Sequence, residues 1–161
     1  MLLGVNGDAM KTTWISDILE GKHDGQKVEL KGWIKRSRGS NKIRFVVLRD
    51  STGSIQCVAK KDAVGEECFE NVKSALIESS LIIHGLANPD ERADGGYEII
   101  VQDVEIVGPV NPDTPFPITE SAMVAADGGE TEFLLDNRHL YLRTTRMTTM
   151  LKLRSSVFGA I

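Results

Sequence analysis

Histidine and cysteine are scarce in this chain, and their spacing excludes more than their number. Among 161 residues there are two cysteines and three histidines. Cys57 and Cys68 have no CxxC spacing, and His23, His84 and His139 are scattered, so a zinc-binding set cannot be assembled from neighbours. Both cysteines fall at apolar-face positions and read as inert buried thiols. The chain has no signal-peptide pattern and no apolar run long enough to span a bilayer, which points to a cytoplasmic protein. There is no GxSxG, Walker loop, HExxH or carboxylate cluster of metal-binding type. The glycine pairs Gly95-Gly96 and Gly128-Gly129 belong to turns, not to the strand-to-helix junction that cradles a phosphate. Asp136, Arg138 and His139 read as a salt-bridged packing segment. No residue is therefore assigned a catalytic or metal-binding role.

Positive charge is scarce overall and abundant in one place. The formal net charge is -4, yet Lys31 to Arg49 holds seven cations, Lys31, Lys35, Arg36, Arg38, Lys42, Arg44 and Arg49, and no acid. Any nucleic-acid surface must be local to this stretch. Phe45 lies inside it, on a segment that otherwise reads as a strand. Cations can track phosphates and the aromatic ring can stack a base, so the pattern suggests single-stranded or loop RNA. Two blander readings are a solvated cationic face and a contact for an acidic protein.

The elements place those residues. Residues 1–12 read as a frayed extension, with Met10 an alternative start. Trp14, Ile15, Ile18 and Leu19 recur at helical spacing, with Thr12 or Thr13 as N-cap and Gly21 as stop. Val28, Leu30, Gly32 and Ile34 alternate with polar or exposed-type residues as a strand, followed by an Arg-rich loop. Ile43 to Arg49 and Ser54 to Lys60 form a hairpin around Asp50-Ser51-Thr52-Gly53. This register puts Val46, Leu48, Ile55 and Cys57 on the core face. Phe45, Val47, Ser54 and Gln56 then point outward, with Phe45 diagonal to Gln56.

From Asp62 to Glu78 the period becomes helical, and strands return at Ser80 to Leu86 and Tyr97 to Val107. Three strands, a helix and two strands is the order of an OB-fold, a five-stranded partly open barrel; the helix argues against an SH3-like barrel. Four of the five prolines lie between Gly108 and Pro117, marking a stiff linker. Ile118 to Thr131 reads as hinge-like. A helix beginning near Thr144 carries Met147, Met150, Leu151, Leu153, Val157 and Phe158 and runs to Ile161 without a stop signal, as in a fragment of a longer protein.

Gly32-Trp33-Ile34, the Arg-rich loop, the run FVVLRDSTGSIQ from Phe45 to Gln56 and FLLDNRHLYLRT from Phe133 to Thr144 together resemble class IIb aminoacyl-tRNA synthetases, most closely the archaeal and eukaryotic-style asparaginyl group. The resemblance runs from about Thr13 to Ile161. It implies an anticodon-binding OB domain over 13–107, a linker over 108–132 and the truncated start of a class II catalytic domain over 133–161. It also implies that Phe45 stacks on the central anticodon uridine, that Gln56 reads that base and that Arg38 holds it. Lys35, Arg36, Lys42 and Arg44 are expected as further tRNA or phosphate contacts. The parent enzyme would use ATP and magnesium to join asparagine to its tRNA and would be a homodimer. This chain lacks class II motifs 2 and 3 and is expected to bind tRNA without catalysing. Asparagine and aspartate tRNAs share the central uridine, so an aspartyl enzyme, even one charging both tRNAs, stays open, as does a free-standing single-strand binder.

Overall fold

The structure is a computed structural model that describes residues 13–118 and 131–160. The expected N-terminal extension, residues 1–12, and most of the hinge-like stretch lie outside them. The chain divides into one compact unit ending at Pro115 and a second starting at Phe116.

The first unit is a closed barrel. Its strands are β1 (Lys27–Gly39), β2 (Ile43–Arg49), β3 (Ser54–Lys60), β4 (Ser80–Pro89) and β5 (Tyr97–Gly108), in the order β1-β2-β3-β5-β4. Closure comes from antiparallel β1–β4 pairing and one parallel pairing, β3 with β5. Inward positions carry Val28, Leu30 and Ile34 from β1, Val46 and Leu48 from β2, and Ile55 and Cys57 from β3, all buried. Val46 faces Cys57 and Leu48 faces Ile55, the register expected from alternation. Burying each such aliphatic side chain is worth about 1.5–3 kcal/mol.

Helix α1 (Ile15–Leu19) adds Ile15 and Ile18 to this core. Its cap differs from the expectation. The N-cap residue Trp14 makes no side-chain cap; Ile15 N–H donates to Asp50 Oδ2 at 3.0 Å and Ser16 N–H to Thr52 Oγ1 at 3.1 Å. The β2–β3 turn thus supplies the acceptors that Thr12 or Thr13 was expected to provide, satisfying N–H groups that a helix start leaves unpaired.

The expected helix after β3 is two, α2 (Lys61–Val64) and α3 (Glu66–Ser74). Gly65 separates them with φ of 82° and ψ of 163°, a conformation close to glycine-only. Phe69 and Val72 of α3 are buried.

The second unit contains α4 (Thr131–Asp136), α5 (Arg138–Tyr141) and α6 (Thr145–Gly159). Thr144 caps α6 by accepting from Met147 N–H, and Met150, Leu151, Leu153, Val157 and Phe158 are exposed along it. No ion pair joins Asp136, Arg138 and His139 among the described residues, contrary to the salt-bridged reading. No helix among them is long and apolar enough to cross a membrane.

Candidate nucleic-acid interface

A bulge creates the outer face. In β1, Ile34 points inward opposite Leu48, and simple alternation would turn Arg36 and Arg38 inward as well. The register with β2 shifts between Ile34 and Arg36, so that Arg36 pairs with Val47, Ser37 with Val46 and Arg38 with Phe45. One extra residue reverses the side-chain parity beyond it. Arg36 and Arg38 therefore join Phe45 and Val47 outside, while Ser37 turns in. The stretch expected as an Arg-rich loop is the bulged end of a strand, which holds these arginines more rigidly than a loop would.

Three strands converge there. The Arg38 guanidinium carbon lies 5.6 Å from the centroid of the Phe45 ring, within cation–π range. Its Nη2 donates to Gln56 Oε1 at 3.4 Å. Gln56 stands opposite Val47, diagonal to Phe45, and Val58, directly opposite Phe45 on the same side of the hairpin, is buried. The structure thus brings together the three residues that sequence reading grouped, and joins them by direct contacts.

The wider basic cluster is thinned by internal pairing. Arg49 donates through Nη2 to both carboxylate oxygens of Glu78, at 2.9 and 3.0 Å, with Glu78 in a left-handed conformation at φ 71°. Lys31 pairs with Glu29 at 3.1 Å. Arg44 shares the inward parity of Val46; its Nη2 donates to Ser37 Oγ at 3.3 Å and to the Lys73 carbonyl at 3.4 Å. Arg44 is therefore not brought to the outer face. Lys35, at the bulge, Arg36 and Lys42, in the β1–β2 connection, accompany Arg38 at this end of the hairpin.

One neighbour escaped sequence reasoning. Parallel pairing sets Glu98 beside Gln56, and Asn88 Nδ2 donates to Glu98 Oε1 at 3.5 Å. Alternation within β5 could have marked Glu98 as outward, but its adjacency to Gln56 follows only from closing the barrel. The site thus has cations on its β1–β2 side and a carboxylate on its β5 side. Nearby, Arg92 holds the Asp90 carboxyl below its ordinary range by a paired ion contact.

Known proteins share this fold. Residues 28–107 match the family described as OB-fold nucleic acid binding domain. The asparagine–tRNA ligase of Thermoplasma acidophilum is 42% identical over 144 residues, covering 89% of this chain and 31% of that protein. The corresponding ligase of Symbiobacterium thermophilum is 40% identical over 148 residues, covering 92% and 32%. Among solved structures, asparaginyl-tRNA synthetase from Pyrococcus horikoshii complexed with asparaginyl-adenylate superposes with a TM-score of 0.79 at 35% identity, covering 93% of this chain and 33% of that one. The chain spans about a third of the length of the relatives it matches.

Proposed function

Because this chain belongs, through residues 28–107, to the OB-fold nucleic acid binding domains and is related over most of its length to asparagine–tRNA ligases, we propose that its outer barrel face reads the anticodon of a tRNA. The observation that carries this reading is the contact cluster of Arg38, Phe45 and Gln56, drawn from three strands onto one face.

The chemistry of the cluster suits an unpaired uridine. Phe45 offers a π-face for the base, worth about 1–3 kcal/mol per stacked base. Gln56 has an amide oxygen that accepts and an amide nitrogen that donates; uracil presents the complementary N–H and carbonyl on its pairing edge. Arg38 lies over the ring and donates to that same amide oxygen. An entering base takes over both partners, and the displaced guanidinium remains within reach of the base or its phosphate. Lys35, Arg36 and Lys42 would follow the backbone.

In the parent enzyme this face selects the tRNA, and a catalytic domain uses ATP and magnesium to activate asparagine and transfer it to the tRNA. We assign the homodimer and the cytoplasmic setting to that enzyme as well. Among the described residues, no group of three or more histidine, cysteine or carboxylate side chains is placed to hold a metal ion; we assign the ATP and magnesium chemistry to the catalytic domain of the parent enzyme. Residues 133–161 would lead into that catalytic domain, and this chain by itself is expected to bind tRNA without forming an adenylate.

The test is binding of an anticodon stem-loop by Phe45→Ala. Affinity for a stem-loop with a central uridine should fall by about 1–3 kcal/mol, and for other central bases by a similar amount, since every base has a face to stack; Gln56→Ala should instead lower the preference for uridine. Unchanged affinity in Phe45→Ala would exclude the stacking role.

A further inference from the structure

Arg44 belongs to the basic cluster by sequence and to the inside of the barrel by geometry. It sits at the start of β2 opposite Gly39 of β1 and Ala59 of β3. Its parity points it towards the core, but at the barrel end a guanidinium can reach polar partners instead. The approach to Gly39 is close: a Cβ there would meet the Ile43 carbonyl and stand 2.8 Å from Arg44 Cα and 3.1 Å from Arg44 Cδ. The Arg44 stem therefore packs where only a glycine leaves room, and Gly39 has φ of 149°, which L side chains rarely adopt.

The guanidinium then bridges two elements. Nη2 reaches Ser37 Oγ, two residues before Gly39 on the bulged end of β1, and the Lys73 carbonyl in the last turn of α3. A helix end leaves its last carbonyls without intrahelical partners and carries partial negative charge, so a cation there is stabilising. Nε is enclosed without a hydrogen-bond partner, and the side chain as a whole is half-buried at the barrel end. Ser37 is followed by Arg38, and Arg44 by Phe45, the two residues paired on the outer face.

We propose that Arg44 is a positioning residue: by tying Ser37 to the end of α3 from inside the barrel, it holds Arg38 and Phe45 in the outward arrangement that Gln56 completes. It acts through its neighbours and does not touch RNA. This rests on the anticodon reading for its purpose, while its structural content can be measured without RNA.

The test uses the whole chain with labelled nitrogen. In RNA-free Arg44→Ala, the Gln56 side-chain amide signals should shift in the same direction as in Arg38→Ala, while the backbone amides of Ile83 and Ile99 stay in place. Ser37→Ala, which removes one acceptor and spares the arginine, should shift them less and guards against a folding defect in Arg44→Ala. Titration with stem-loops carrying a central uridine or cytidine should then show a several-fold loss of uridine preference in Arg44→Ala. The salt slope of binding should match the starting protein, whereas Lys42→Ala lowers it. Gln56 signals unmoved in both variants, or a salt slope lowered by Arg44→Ala as by Lys42→Ala, overturn the positioning role. A starting protein without uridine preference overturns the anticodon reading instead, and the Gln56 signals still decide the role of Arg44.

Discussion

Arg44 and Phe45 are adjacent, and the pleat turns one inward at the barrel end and the other to the outer face. Counting cations along Lys31 to Arg49 treats all seven alike. The alternation of β2, legible once Val46 and Leu48 are read as core, separates Arg44 from the rest. Arg49 is set apart by Glu78, a partner that no local pattern announces, and Lys31 by Glu29, two residues before it on the same side of β1. Cys57 shows the same parity rule with a chemical outcome. It is fully buried, and burial pushes its thiol up from 9.0 to about 12. The neutral thiol is thus favoured in the folded state and the thiolate in the unfolded one. Stability from this group is fully present below pH 9 and is lost as pH rises from 9 towards 12. Urea unfolding across that range should show a falling midpoint with a shallower slope in Cys57→Ala. Native Cys57 should also resist alkylation at pH 8 where the half-buried Cys68 can react, and rapid labelling at Cys57 itself in the folded chain would contradict the burial.

At the scale of elements, the hairpin β2–β3 organises what surrounds it. Its turn was readable from Asp50-Ser51-Thr52-Gly53, but its second use was not. Asp50 accepts from Thr52 N–H, Thr52 Oγ1–H and Gly53 N–H as well as from Ile15 N–H. One carboxylate closes the turn and starts α1, which lies thirty-five positions away in sequence. Asp50→Ala should destabilise the barrel by about 0.5–2 kcal/mol, the usual range for a lost helix cap. Amide exchange at Ile15, Ser16 and Gly53 should rise together; a change confined to Gly53 would mean that α1 is held by packing alone. The bulge in β1 is the element-scale feature that sequence alternation missed. Reading Gly32 and Ile34 as inward was correct, and carrying that parity onward would have buried Arg36 and Arg38. The cost of burying charge forbids that, and a one-residue bulge is a backbone solution that leaves no mark in composition.

For the whole molecule, the barrel carries its own core, since Val28 to Val104 contribute inward residues from all five strands. A chain ending at Pro115 should therefore unfold cooperatively and bind the central-uridine stem-loop with the affinity of the full chain. Loss of binding on that truncation would assign residues beyond Pro115 to the interface. The complete chain should show no asparagine-dependent ATP–pyrophosphate exchange, and detecting it would place adenylate chemistry within these residues. The succession of strands along the chain, the two inner faces of the hairpin and the outward side of Phe45 and Gln56 were determined by sequence alone, because hydrophobic period and turn chemistry are local properties; the family resemblance was legible in short residue motifs. Tertiary structure decided which cations stay at the face, what caps α1, where β1 bulges and that Glu98 adjoins Gln56. Most of these depend on groups far apart in the chain, brought together only when the barrel closes.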